Sequence, residues 1–212
     1  MIKQALIALA LSGAVASAQA GVVVNEGFND VTTLGANGWV MTNASTPGGV
    51  IPGWFQGDQS KFTAQAGLAE SYIAANYNNA PAGGTLNNWL ITPEFSNETD
   101  VFVSLWLRGI AEDGFSDNLA FGFSNGSTNF ADFTIAQAVT APTGDWTRYD
   151  LYLGAHGAGA TGRFAIQYTG AADTSDYVGV DSLTITVPEP STMLIMATGL
   201  MGVAAMRRRQ RR

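Results

Sequence analysis

Along the middle of the chain apolar residues alternate with polar ones in short runs. Val101, Val103, Leu105 and Leu107 interleave with Phe102, Ser104, Trp106 and Arg108, and a period of two puts each set on its own face of a β-strand. The same phase recurs in Leu119, Phe121 and Phe123 against Asn118, Ala120, Gly122 and Ser124, and in Tyr149, Leu151 and Leu153 against Arg148, Asp150 and Tyr152. It recurs again in Phe164, Ile166 and Tyr168 against Arg163, Ala165 and Gln167. Arg108, Arg148 and Arg163 all fall on the polar side. Between the runs lie clusters of turn-forming residues at 43–49, 78–84, 96–100, 112–118, 124–129 and 169–175, at spacings suited to a sandwich of two antiparallel sheets. No helical period competes between Gly21 and Val187, so the predicted fold class is all-β.

The two ends break this pattern. Lys3 precedes an apolar stretch from Ala5 to Val15, and Ala18-Gln19-Ala20 forms a small-residue cleavage box before Gly21, which together read as a secretory signal peptide over 1–20. At the other end stand Pro188-Glu189-Pro190, an uncharged run of fourteen residues from Met193 to Met206, and an arginine-rich terminus from Arg207 to Arg212. A glutamate bracketed by prolines cannot prolong a strand, so it predicts an extended segment open to a processing enzyme. As a helix the apolar run is about 21 Å long, short of the roughly 30 Å hydrocarbon core. It therefore predicts transient insertion in the inner membrane, with the arginines held on the cytoplasmic side. The predicted organisation is a signal peptide at 1–20, a sandwich domain at 21–187 and a sorting segment at 188–212.

Removing both end segments changes the charge balance. The body holds four basic residues, Lys61, Arg108, Arg148 and Arg163, against sixteen acidic ones, so its net charge is minus twelve rather than minus seven. Nucleic acid is not a partner to expect of such a surface, because phosphate binding needs clustered lysine and arginine. The chain has no cysteine and a single histidine, His156, which excludes disulfides and thiolate zinc sites and leaves too few residues for a serine triad or a histidine-rich zinc site. His156 lies in a glycine- and alanine-rich turn and reads as a loop residue.

The C-terminal order of Pro188-Glu189-Pro190, apolar segment and basic terminus resembles the PEP-CTERM sorting signal of Gram-negative bacteria. The resemblance implies recognition and removal of the tail by the membrane enzyme exosortase, and export to the cell surface or extracellular matrix, often beside exopolysaccharide. A second resemblance covers nearly the whole body. Val24-Asn25-Glu26-Gly27-Phe28-Asn29-Asp30, Gly38-Trp39, Gly53-Trp54-Phe55-Gln56-Gly57, Asn88-Trp89-Leu90-Ile91-Thr92-Pro93 and Tyr177-Val178-Gly179-Val180-Asp181 look like the choice-of-anchor J domain, which is similar to cleaved-adhesin and MAM-type jelly rolls. That implies an antiparallel jelly-roll β-sandwich on a secreted or surface protein.

Candidate chemistry follows from these two resemblances and from the strand phases. In a jelly roll the first and last strands lie side by side, which brings Glu26 towards Asp181. Related jelly rolls carry a structural calcium, so the two are candidate carboxylate ligands for that ion; the alternative is that each accepts a backbone hydrogen bond or caps a turn. The family shows a second aspartate after the position of Asp181, where this chain has Ser182. Trp106, Arg108, Tyr152 and Gln167 share the outward phase of their strands and form a candidate sugar-binding platform, against the alternative of an ordinary solvated face. Paired acids for glycoside hydrolysis can be drawn from Asp113 and Asp117 or from Glu94 and Glu98, but no catalytic motif accompanies them. The function expected is a non-enzymatic, adhesin-like or polysaccharide-associated module, with a secreted glycan-active enzyme as the alternative.

Overall fold

The structure is a computed structural model that describes residues 20–49, 51 and 53–188. Residues 1–19, with the signal-peptide residue Ala18, and residues 189–212, with the sorting residues Glu189 and Pro190, lie outside the described residues. Twelve strands are formed: β1 (Ala20–Glu26), β2 (Val40–Asn43), β3 (Phe55–Gln56), β4 (Ile73–Asn76), β5 (Thr85–Ile91), β6 (Phe95–Ser96), β7 (Val101–Gly109), β8 (Asn118–Ser124), β9 (Thr134–Thr140), β10 (Thr147–Leu153), β11 (Thr161–Ala171) and β12 (Tyr177–Pro188). The only helices among the described residues are single 3-10 turns, and none is long and apolar enough to cross a membrane.

Two six-stranded sheets result, and every strand pairing is antiparallel. One runs β10-β7-β12-β4-β3, with β1 also laid along β12; the other runs β2-β5-β11-β8-β9, with β6 on β11. This is the antiparallel sandwich expected from the alternation, and the jelly roll that the resemblance implies. The inward phase of β7 (Val101, Val103, Leu105, Leu107) is buried, as are Leu119, Phe121 and Phe123 of β8 and Phe164, Ile166 and Tyr168 of β11. With no disulfide available, burial of these side chains, each worth about 1.5–3 kcal/mol for an aliphatic or phenyl group, holds the domain.

The outward phases depart from the expectation at several places. Ala120, Gly122 and Ser124 should face solvent, yet all three are buried, and the segment after β8 folds Phe130 and Phe133 back over Trp89, Ile91 and Ala165 of the second sheet. Trp89 stacks on Phe130 at 4.9 Å between ring centroids and meets Phe133 at 5.5 Å. On the first sheet, Phe62, Tyr72, Ala74 and Tyr177 form a corresponding outer cluster. Trp39 and Trp54 lie in the core, with Trp39 set edge-on against Phe28. Thr169 and Gly170 also stay in register in β11, opposite Asn87 and Leu86, so the turn expected over 169–175 is shorter.

Candidate functional site

The first and last strands pair along their length, with Glu26 opposite Leu183. Glu26 therefore stands on the strand beside Asp181, two positions from it in register. Glu26 Oε1 accepts the Phe28 N–H at 2.7 Å. Asp181 is fully buried; its Oδ2 accepts the N–H groups of Gln65 (2.8 Å) and Ala66 (3.1 Å), and its Oδ1 that of Ser182 (2.5 Å). Burial pushes the Asp181 carboxyl above the usual carboxylate range, against the pull of those three donors. The only ion pair among the described residues joins Arg148 to Asp150, so no cationic side chain balances Asp181.

Backbone oxygens next to the junction are held by the Gln56 side chain. The carbonyls of Phe28, Glu70 and Tyr72 converge on the Gln56 side-chain amide nitrogen, at 2.8, 2.6 and 3.3 Å. Phe28 and Ser182, the two non-glycine residues with positive φ (49° each) among the described residues, flank it; such backbone is sparsely populated and marks a place where the fold holds the chain against its preference. The two carboxylates match calcium in donor type, whereas the three carbonyls are taken by the Gln56 amide. The aspartate that the resemblance expects after Asp181 is Ser182 here, whose hydroxyl donates to Gln65 Oε1 at 2.8 Å.

Trp106, Arg108, Tyr152 and Gln167 are not brought together. Gln167 is on β11 of the second sheet and donates to Asn87 Oδ1 at 2.8 Å. Arg108 and Trp106 are half-buried on β7. The Arg108 guanidinium carbon lies 4.8 Å from the centroid of the Phe62 ring, so the segment carrying Phe62 covers this half of the sheet. Alternation assigns a residue to one face of its own strand and carries nothing about which sheet that strand joins, or which loop crosses it.

Tyr152 alone of the four is well exposed, at 58 %. Its neighbour is Phe102, with ring centroids 5.4 Å apart and 46 % of Phe102 exposed. Strand register extends the pair into a row across four strands: Tyr152 opposite Phe102, Phe102 opposite Thr186, and Thr186 opposite Val22. Phe102 was legible in the sequence as an aromatic residue sharing the outward phase of β7 with Trp106. The Asp100 carboxylate near the Tyr152 hydroxyl holds that phenol above its usual value.

Tyr152 also stands at the lip of a cleft of about 850 Å³ between the β8–β9 end of one sheet and the 154–160 loop of the other, lined by Asn97, Ser124, Asn125, Thr134, His156 and Thr161 among others. His156 is a loop residue, as expected. Its backbone N–H donates to the Asn97 carbonyl at 2.9 Å and its Nδ1 is hydrogen-bonded to Asn97 Oδ1, an amide rather than an orienting carboxylate. Of the acids offered as pairs, Glu94, Glu98 and Asp113 are exposed, whereas Asp117 is buried. Its Oδ1 accepts the Tyr168 hydroxyl (2.5 Å) and Asp176 N–H (2.9 Å), and its Oδ2 the Tyr177 N–H (3.2 Å). Asp117 thus serves as a structural acceptor inside the domain.

Comparison with known proteins places both halves of this description. Residues 186–209 match the model of the PEP-CTERM protein-sorting motif, which implies exosortase sorting of an exported protein. Among solved structures, the chain is similar to the K3 cleaved adhesin domain of Lys-gingipain from Porphyromonas gingivalis, at 18 % identity and a TM-score of 0.57, over 79 % of this chain and 100 % of that one. It is also similar to the K1 domain of the same protein, at 20 % identity and a TM-score of 0.57, over 76 % and 96 % of the two chains. At such identities the likeness is one of fold. No curated protein matches the chain.

Proposed function

We propose that the protein is a non-enzymatic, adhesin-like module of a polysaccharide-rich surface layer. Its signal peptide ends at Ala20, its sorting segment begins at Pro188, and exosortase releases a mature domain of 21–187 after transient anchoring in the inner membrane. The export half of this proposal follows the sorting motif. The binding half is carried by one observation: an exposed pair of aromatic rings, Phe102 and Tyr152, of which Tyr152 also lines a cleft walled by hydroxyl and amide groups. Ring faces suit the apolar face of a pyranose, and the amides and hydroxyls suit its rim.

Replacing both Phe102 and Tyr152 by alanine is expected to weaken retention on the cognate exopolysaccharide by roughly thirtyfold, as each ring supplies on the order of 1 kcal/mol. Gln167→Ala, on the other sheet, is expected to leave retention unchanged. Unaltered retention of the double variant removes this surface from the proposal. Release of reducing ends from the bound polymer favours the glycan-active enzyme instead.

The same proposal gives calcium a structural place at the junction of β1 and β12, with Glu26 and Asp181 as its carboxylate ligands. The supporting observation is a buried carboxylate, Asp181, with no cationic partner among the described residues, on the strand that pairs with the end of β1 carrying Glu26. Calcium is expected to raise the melting temperature and Glu26→Gln to abolish that increment while leaving the calcium-free melt nearly unchanged. Identical melts of the unaltered protein with calcium and with chelator defeat this part.

A further inference from the structure

We infer that the glycan taken at the Tyr152 surface is a neutral one, with neither uronate nor sulfate groups. This deepens the proposed glycan contact and rests on it. The ground is the position of every positive charge in the domain. Arg163 lies on β11 opposite Ser124 of the cleft wall, with its Nε donating to the Gly126 carbonyl (2.9 Å) and its Nη1 to that of Thr92 (2.8 Å). Arg148, four residues from Tyr152 on β10, is turned onto Asp150 through both Nε (3.0 Å) and Nη2 (2.8 Å). Arg108 lies against the Phe62 ring, six positions along β7 from Phe102 and so about 20 Å away. Lys61 is in the segment that carries Phe62. No guanidinium is left at the Tyr152 surface to pair with an anionic sugar in the forked geometry that carboxylate and sulfate recognition uses.

Carboxylates, in contrast, surround it. Asp100 is at the Tyr152 hydroxyl, Asp150 stands two residues along β10, Asp132 lines the cleft, and Glu98 accepts the Gly159 N–H on its rim at 2.9 Å. An acidic polymer brought here meets like charge with nothing to offset it, a juxtaposition that costs several kcal/mol at a close interface. A neutral sugar meets acceptors instead: its hydroxyls donate to Asp100 and Asp132 while its apolar face covers Tyr152 and Phe102. The overall charge of the body, four basic residues against sixteen acidic, repels polyanions from a distance in the same sense.

The exported protein is to be run in affinity electrophoresis against soluble neutral galactan and glucan, and against polygalacturonate and dextran sulfate, without added divalent ions, at low and at high salt. Retardation by a neutral polymer that is insensitive to salt and lost in Tyr152→Ala, with about tenfold weaker or no retardation by either polyanion, is the expected result. Retardation by a polyanion that fades as salt rises overturns the inference and leaves the glycan contact standing. No retardation by any polymer takes down the glycan contact and this inference with it.

Discussion

Asp117→Ala is expected to destabilise the domain by on the order of 4 kcal/mol, because each buried group deprived of its partner costs about 1–3 kcal/mol. Three groups lose theirs: the Tyr168 hydroxyl and the N–H groups of Asp176 and Tyr177. Tyr168 is fully buried, and its phenol is pushed up by burial and by the neighbouring Asp117 charge, so its hydroxyl stays protonated and requires an acceptor. For a domain of ordinary stability, roughly 5–15 kcal/mol, such a loss leaves little margin. Asp117→Asn keeps one acceptor oxygen for Tyr168 and Asp176 and turns an NH2 towards Tyr177, so a smaller loss is expected. Urea unfolding of the three proteins checks the order; an Asp117→Ala variant as stable as the unaltered protein excludes the carboxylate as the tie between β8, β11 and β12.

The same carboxyl sets a direction for pH. Burial is the largest influence on Asp117 and raises it above the usual carboxylate value, with the Tyr168 and Asp176 donors pulling the other way. A group whose folded value is raised favours the folded state most below its unfolded value, near 4, and that contribution is lost as pH rises through the folded value. Asp181 acts in the same sense. Relief of repulsion among sixteen acidic residues adds to it as pH falls from neutrality. The melting temperature of the calcium-free protein is expected to rise on going from neutral pH towards the carboxylate range, and the rise to shrink in Asp117→Asn. A melt that falls steadily over that interval contradicts the assignment.

Asp117 also shows what the sequence does and does not reveal. It stands in a turn cluster, 112–118, and nothing in its neighbours marks it as buried; only the approach of β11 and of the start of β12 makes it so. The strands themselves were legible, since the alternation of Val101 to Leu107 or of Phe164 to Tyr168 is a local consequence of burying one face. The covers over the outer faces were not. Phe130 and Phe133 sit three apart in a 3-10 turn, and no strand period announces that they fold back onto Trp89. For the candidate site, the phase of Tyr152 was read correctly as outward, whereas its grouping with Gln167 depended on strand pairing that alternation cannot supply. Glu26 and Asp181 were brought close by topology, through the resemblance to jelly rolls, rather than by any spacing between them.

Gly57→Ala is expected to cost about 3 kcal/mol, towards the upper end for overpacking a filled interior, although it adds a single methyl group in an ordinary loop. A Cβ at Gly57 would lie 2.3–2.5 Å from Cε1, Cδ1 and Cζ of Tyr72, well inside contact distance. The ring cannot swing aside. It is fully buried, lies 5.0 Å from the Phe62 ring in a stacked arrangement, and is pinned at its far end, where its hydroxyl donates to the Asp58 carbonyl (2.7 Å) and sits 3.1 Å from that of Tyr177. Displacing Tyr72 therefore displaces Phe62 and Trp146, both packed against it, and uncovers Arg108 beneath Phe62. The expected signature is a lowered melting temperature together with a red shift and quenching of Trp146 emission, while Gly35→Ala, which has nothing within 4 Å of its new methyl group, melts within about 0.5 kcal/mol of the unaltered protein. Equal melts for the two variants mean that the aromatic cover yields freely, and then Arg108 is within reach of ligands and the first sheet presents a positive charge that its packing otherwise withholds.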